Sequence, residues 1–145
     1  MTKGLIAKQN FETGLNCAQA VVLAFKDELG FSEEVLKKLS IGYGGGVARQ
    51  RNVCGAVLGM TMVLSFLLSD GNDKLGIYKI IQEACACFKA EVGSIVCAEL
   101  LDGETLKDKS YIPEQRTKEY YKKRPCAELC VLAADIAEQF LNKTF

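Results

Sequence analysis

Four cysteines stand where the chain reads as starting a helix, and each is followed at once by a small residue. Cys17 lies between Asn16 and Ala18, Cys54 precedes Gly55, Cys97 comes three residues after Ser94, and Cys126 lies between Pro125 and Ala127. Asn and Ser are favoured helix caps, and Pro is favoured at a helix's first position. The first turn of a helix points N–H groups and a partial positive charge outward. A sulfur placed there is easier to deprotonate, and the thiolate is both nucleophile and metal ligand. The pattern points to redox or metal chemistry on sulfur.

The chain has no histidine, which excludes any Ser-His or Cys-His nucleophile pair. A zinc site would have to be built from Cys with Asp or Glu, and mixed His/Cys iron–sulfur centres are excluded. No C-x-x-C occurs, so a thioredoxin-type dithiol and the paired-knuckle zinc signatures are absent. Any site must be assembled by the fold.

Two chemistries stay open. In the first, Cys17, Cys54, Cys97 and Cys126 together hold an iron–sulfur cluster ([2Fe–2S] or similar) or a metal such as zinc. Four thiolates carry negative charge, which converging helix starts would offset. In the second, Cys54 is a catalytic thiol and another cysteine resolves its disulfide, with no cofactor. Cys54 follows a glycine cluster, Gly44, Gly45 and Gly46, and stands near Arg49 and Arg51. Positive charge and the helix start both favour its thiolate. Gly55 and Gly59 leave one helix face bare, so a backbone or a cofactor can approach there, and the glycine cluster permits a tight turn or an anion cradle. A third reading is a non-catalytic helical interaction module, stabilised by zinc on cysteines. Among the other thiols, Cys85 and Cys130 read as core and Cys87 as exposed or resolving.

Forty-nine per cent of the 145 residues are apolar, enough for one folded domain over 1–145, and 18 basic residues balance 18 acidic ones. That balance argues against nucleic acid as a partner. The stretch 117–125, TKEYYKKRP, mixes basic and aromatic residues and reads as a solvated connection. The opening MTKGLIAKQNFETG is unlike a secretory signal. An odd cysteine count suits reduced thiols and a cytoplasmic setting.

Apolar spacing supplies the elements. Helices are expected over 3–13, 16–29, 32–40, about 52–69, 75–92, from 94 to about 101, and from Pro125 onward. The run between Arg51 and Asp70 carries no charge. It is read as a central helix buried by its neighbours, without membrane insertion. An exposed edge of it could support a homodimer. Residues 102–114 read as a surface loop. No alternation marks a strand, so the expected fold is all-α, a compact multi-helix bundle.

The segments NCAQAV (16–21), GGG (44–46), CGAVLG (54–59), FKAEVGSIVCAELL (88–101) and PCAEL (125–129) resemble the family named for its C_GCAxxG_C_C pattern, whose members are described as redox-active. The resemblance covers nearly the whole chain. It implies that Cys17, Cys54, Cys97 and Cys126 are the family cysteines, that Cys85, Cys87 and Cys130 are additional, and that an unidentified redox partner exists.

Overall fold

The computed structural model describes residues 1–101 and 109–143. Several helices start where a side chain satisfies their first free N–H groups. Helix α1 (Lys3–Glu12) is capped by Thr2, which accepts from the Leu5 N–H. Helix α2 (Cys17–Ala24) opens on a reciprocal box: Asn16 accepts from the Gln19 N–H and Gln19 accepts from the Asn16 N–H.

The single helix expected over 16–29 is two. The Phe25 N–H turns to the Val22 carbonyl at 3.0 Å, its ring drops into the core at 1 % exposure, and α3 (Lys26–Leu29) restarts beyond it. Helix α4 (Glu33–Ser40) is capped by Ser32, with Glu33 and Glu34 in its first turn and Lys37 and Lys38 in its last.

After a 3-10 turn (Ile41–Tyr43) the backbone reverses hand. Gly45, Gly46, Val47, Ala48 and Arg49 all have φ between 51° and 71°, and Arg51 has φ of 64°. Glycine takes this conformation freely, whereas each L side chain pays about 1–2 kcal/mol for it. Backbone bonds such as Ala48 N–H to Gly42 O (2.9 Å) and Asn52 N–H to Gly46 O (2.9 Å) hold the turn.

Helix α5 (Gly55–Leu68) then begins three residues later than the sequence suggested, with Cys54 as its N-cap residue. Its first turns are buried through Gly55, Ala56, Val57, Gly59 and Met60, while Phe66 reaches the surface near its end. Helix α6 (Lys74–Val92) runs from the Asp73 cap to a left-handed Gly93. The one-turn α7 (Cys97–Leu100) follows.

Within 117–125 the expected connection is instead a helix, α8 (Lys118–Lys123), capped by Thr117. Its Tyr120 and Tyr121 rings stack on and edge against Phe11, with centroids 6.2 and 5.9 Å away. Packing accounts for its aromatics. Helix α9 (Cys126–Leu141) follows Pro125.

The fold is all-α. Among the described residues the only strand-like pairing is the antiparallel bridge between Val53 and Val96. Helices α1, α2, α5 and α9 pack on one another and α6 lies along α5 and α9. Phe11, Val21, Phe25, Met60, Leu64, Phe88 and Phe140 fill the space between them. Burying a side chain of this size stabilises by about 1.5–3 kcal/mol. No described helix is long and apolar enough to cross a membrane. Of the loop expected over 102–114, residues 102–108 lie outside the described residues, and 109–114 are exposed and irregular.

Candidate functional site

The four helix-start cysteines converge. Cys17, Cys97 and Cys126 are the first residues of α2, α7 and α9, and Cys54 caps α5. All four line one cavity of about 440 Å³. They come from distant parts of the chain, so tertiary contacts must bring them together.

Two devices do this. The first is the pairing of segments 51–54 and 95–98. The Cys54 N–H donates to Ile95 O (2.7 Å), Cys97 N–H to Asn52 O (2.6 Å) and Ala98 N–H to Arg51 O (3.2 Å). This zipper sets Cys54 opposite Ile95 and Cys97 opposite Asn52, so the two cysteines flank the Val53–Val96 bridge on the diagonal.

The second is the close approach of α2 and α5. A Cβ on Gly55 would lie 2.4 Å from Cys17 Sγ and 2.8 Å from the Tyr43 carbonyl, and one on Gly59 would lie 2.9 Å from Ala18 O. Bare glycines let these helices meet, and Cys17 sits against the start of α5. Of the five glycines singled out from the sequence, Gly44, Gly45 and Gly55 line the cavity. Gly46 and Gly59 lie outside its lining. Gly46 packs on the Arg51–Asn52 backbone and Gly59 on Ala18 and Val21.

The electrostatics differ from the sequence expectation at Cys54. Burial, then the neighbouring Cys17, push its thiol well above the ordinary range, while the Val57 and Ala56 N–H groups pull the other way. Burial wins because a dry, enclosed sulfur loses more solvation than a helix start returns. Nor do the nearby arginines serve Cys54. Arg51, only 4 % exposed, turns to Cys97 and hydrogen-bonds its sulfur, opposing the rise that burial imposes there. Arg49 reaches outward to Ser110 O at 2.8 Å.

Burial and Cys17 push the Cys126 thiol up to about 12, with Arg124 opposing. Burial followed by Cys126 lifts the Tyr120 phenol to about 12. That these sulfurs act on one another's ionisation marks them as close neighbours.

The other three cysteines do not line the cavity, although Cys130 lies close behind it, where Cys17, Cys126 and Cys54 add to the rise that burial imposes on its thiol. Cys130 is fully buried one turn beyond Cys126, with its Sγ donating to Cys17 O at 3.7 Å. Cys85 is half-buried and Cys87 exposed on α6. All seven are free thiols.

Sequence reasoning missed three cavity residues, Arg116, Arg124 and Glu114. Arg116 donates to Phe11 O (3.1 Å) and Leu15 O (2.9 Å) and lies over the Phe11, Tyr120 and Tyr121 rings. Arg124, two residues before Cys126, was the one with a local signal. Nothing in the spacing of Arg116 or Glu114 pointed inward.

As arranged, no group of three or more Cys, Asp or Glu among the described residues is set to hold a single metal ion. A cluster with several metal atoms spreads its four thiolates over a wider frame, and a cavity walled by four cysteines and several guanidinium groups suits that donor set in type and charge.

Comparison with known proteins agrees with the cysteine pattern. No curated protein and no solved structure matches the chain. A family model described as "Putative redox-active protein (C_GCAxxG_C_C)" matches residues 15–140, which takes in all four cavity cysteines. The chain therefore belongs to the C_GCAxxG_C_C family.

Proposed function

We propose that this protein carries electrons or senses redox state through an iron–sulfur cluster of the [2Fe–2S] kind, held by Cys17, Cys54, Cys97 and Cys126. The observation that carries the reading is that these four cysteines line one cavity. Enclosure favours ligation over free thiol chemistry. Thiols pushed up by burial, as Cys54 and Cys126 are, are mostly protonated at neutral pH and attack slowly. A coordinated thiol is deprotonated outright. When bound, such a cluster supplies reversible one-electron chemistry.

The chain's own residues do the rest. Asn16 fixes the start of α2 and so places Cys17. The zipper fixes the backbone of Cys54 and of Cys97 on either side of the Val53–Val96 bridge. Arg51 bonds the Cys97 sulfur, and Arg124 brings positive charge to Cys97 and Cys126. Phe11, Leu101, Leu129 and Tyr120 give the cavity around the sulfurs an apolar wall.

A second reading, thiol–disulfide exchange, draws on the free state of the cysteines. Purification under strict anoxia separates the two. The cluster reading expects a coloured protein with iron and acid-labile sulfide in equal amounts. Colourless protein whose cavity cysteines form a reversible internal disulfide would establish exchange instead.

A further inference from the structure

The segment Ser110–Arg116 forms part of the wall of the cysteine cavity through Tyr111, Pro113, Glu114 and Arg116. It has no regular structure, so side-chain contacts hold it down. Arg116 pins its far end through two bonds to the Phe11 and Leu15 carbonyls. Arg49 pins its near end, donating to Ser110 O at 2.8 Å and to Ile112 O.

Between these points stands one carboxylate. Glu114 Oε1 takes Arg49 Nη2 at 3.5 Å from one wall and Arg124 Nη2 from the other. Arg49 belongs to the left-handed turn, and Arg124 directly precedes the Pro125–Cys126 start of α9. The two arginine side chains are 13 % and 6 % exposed, whereas Glu114 keeps 38 % of its side chain open. Among the described residues, a partly solvated acid thus bridges two well-covered cations that both line the cavity.

We propose that Glu114 controls entry to the cysteine cavity: its carboxylate latches the Ser110–Arg116 strap across the opening, so that small reagents reach the sulfurs only when the Arg49–Glu114–Arg124 bridge parts. This rests on the four cysteines being the working site and adds how that site is guarded. Networked charge pairs are stronger than single surface pairs but are weakened by salt. A latch of this kind therefore opens more readily as ionic strength rises.

The protein carries its own reference thiols for the test. Cys87 is exposed on α6, and Cys130 is fully buried. Metal-free reduced protein is treated with iodoacetamide, in which each sulfur forms a C–S bond and displaces iodide. Each cysteine is then followed by peptide mass spectrometry. Glu114→Gln is expected to speed Cys17, Cys54, Cys97 and Cys126 at least threefold, with Cys87 unchanged and Cys130 still protected.

High salt is expected to speed the same four in the parent protein and to have little further effect in Glu114→Gln. Glu114→Asp, which keeps the charge, is expected to stay within twofold of the parent. Unchanged cavity rates in Glu114→Gln overturn the proposal. So does equal acceleration of Cys130, which would make Glu114 a general structural support. The readout needs no iron, so a failed latch and a failed cluster are separate results.

Discussion

Gly55 shows how closely the site is cut. A Cβ there would meet Cys17 Sγ at 2.4 Å and the Tyr43 carbonyl at 2.8 Å. The carbonyl is backbone and cannot swing aside, so the Ile41–Tyr43 turn must shift as well as Cys17. Gly55→Ala is expected to cost about 1–3 kcal/mol, the usual range for overpacking, and to lower retained iron in anaerobically purified protein. Urea unfolding and metal analysis check both, and a fully stable variant with normal iron content would show that this contact does not place Cys17. At this scale the sequence was partly readable. Small residues after each cysteine announced close approach, and Gly55 bears that out. The inward turn of Arg51 was not readable, because it depends on a φ of 64° at a non-glycine residue and on pairing with a segment about forty residues away.

The helices are positioned by their caps. Asn16 accepts from the Gln19 N–H at 2.9 Å and also donates from Nδ2 to Ile41 O at 2.9 Å, tying α2 to the turn after α4. Asn16→Ala removes a cap worth about 0.5–2 kcal/mol and leaves the Ile41 carbonyl to water. The expected result is a loss of roughly 1–3 kcal/mol by urea titration. A change below about 0.5 kcal/mol, the ordinary scatter for surface sites, would contradict the cap's role. Caps are local, and that is why the starts of α2 and α4 could be read from Asn16 and Ser32, while those of α1 and α6 were read within a residue or two from helical spacing. The left-handed turn and the Val53–Val96 bridge have no such local signature. Four non-glycine residues with positive φ persist only because surrounding contacts fix them. Helix α8 escaped notice for a related reason. Its Tyr120 and Tyr121 read as a polar connection until Phe11, more than a hundred residues earlier, supplies the surface they cover.

Across the whole molecule, enclosed thiols make the metal-free protein sensitive to alkali. Burial raises the folded-state ionisation of Cys54, Cys126 and Cys130 above the ordinary thiol value of 9.0, with Cys126 reaching about 12. For a group whose folded value is raised, the associated stability is complete below the unfolded value and is lost as pH climbs toward the folded one. Reduced, metal-free protein should therefore unfold at lower urea as pH rises from about 9 to 12, beyond what a Cys130→Ala variant shows. A midpoint that moves equally in both would place the alkaline loss elsewhere. The all-helical class was legible from apolar spacing and the absence of alternation. That the four cysteines would meet was an expectation drawn from their matching helix starts, and only the packing of α2, α5, α7 and α9 could bring them around one cavity.

Whether these sulfurs work as one unit is tested most directly by iron content across a set of serine variants purified without oxygen. If a shared cluster is held, Cys17→Ser, Cys54→Ser, Cys97→Ser and Cys126→Ser each lose most of their iron, as fully as the variant lacking all four, while Cys87→Ser retains it. Losses that are small and additive, or a Cys87→Ser variant as depleted as the rest, would contradict a common centre in this cavity.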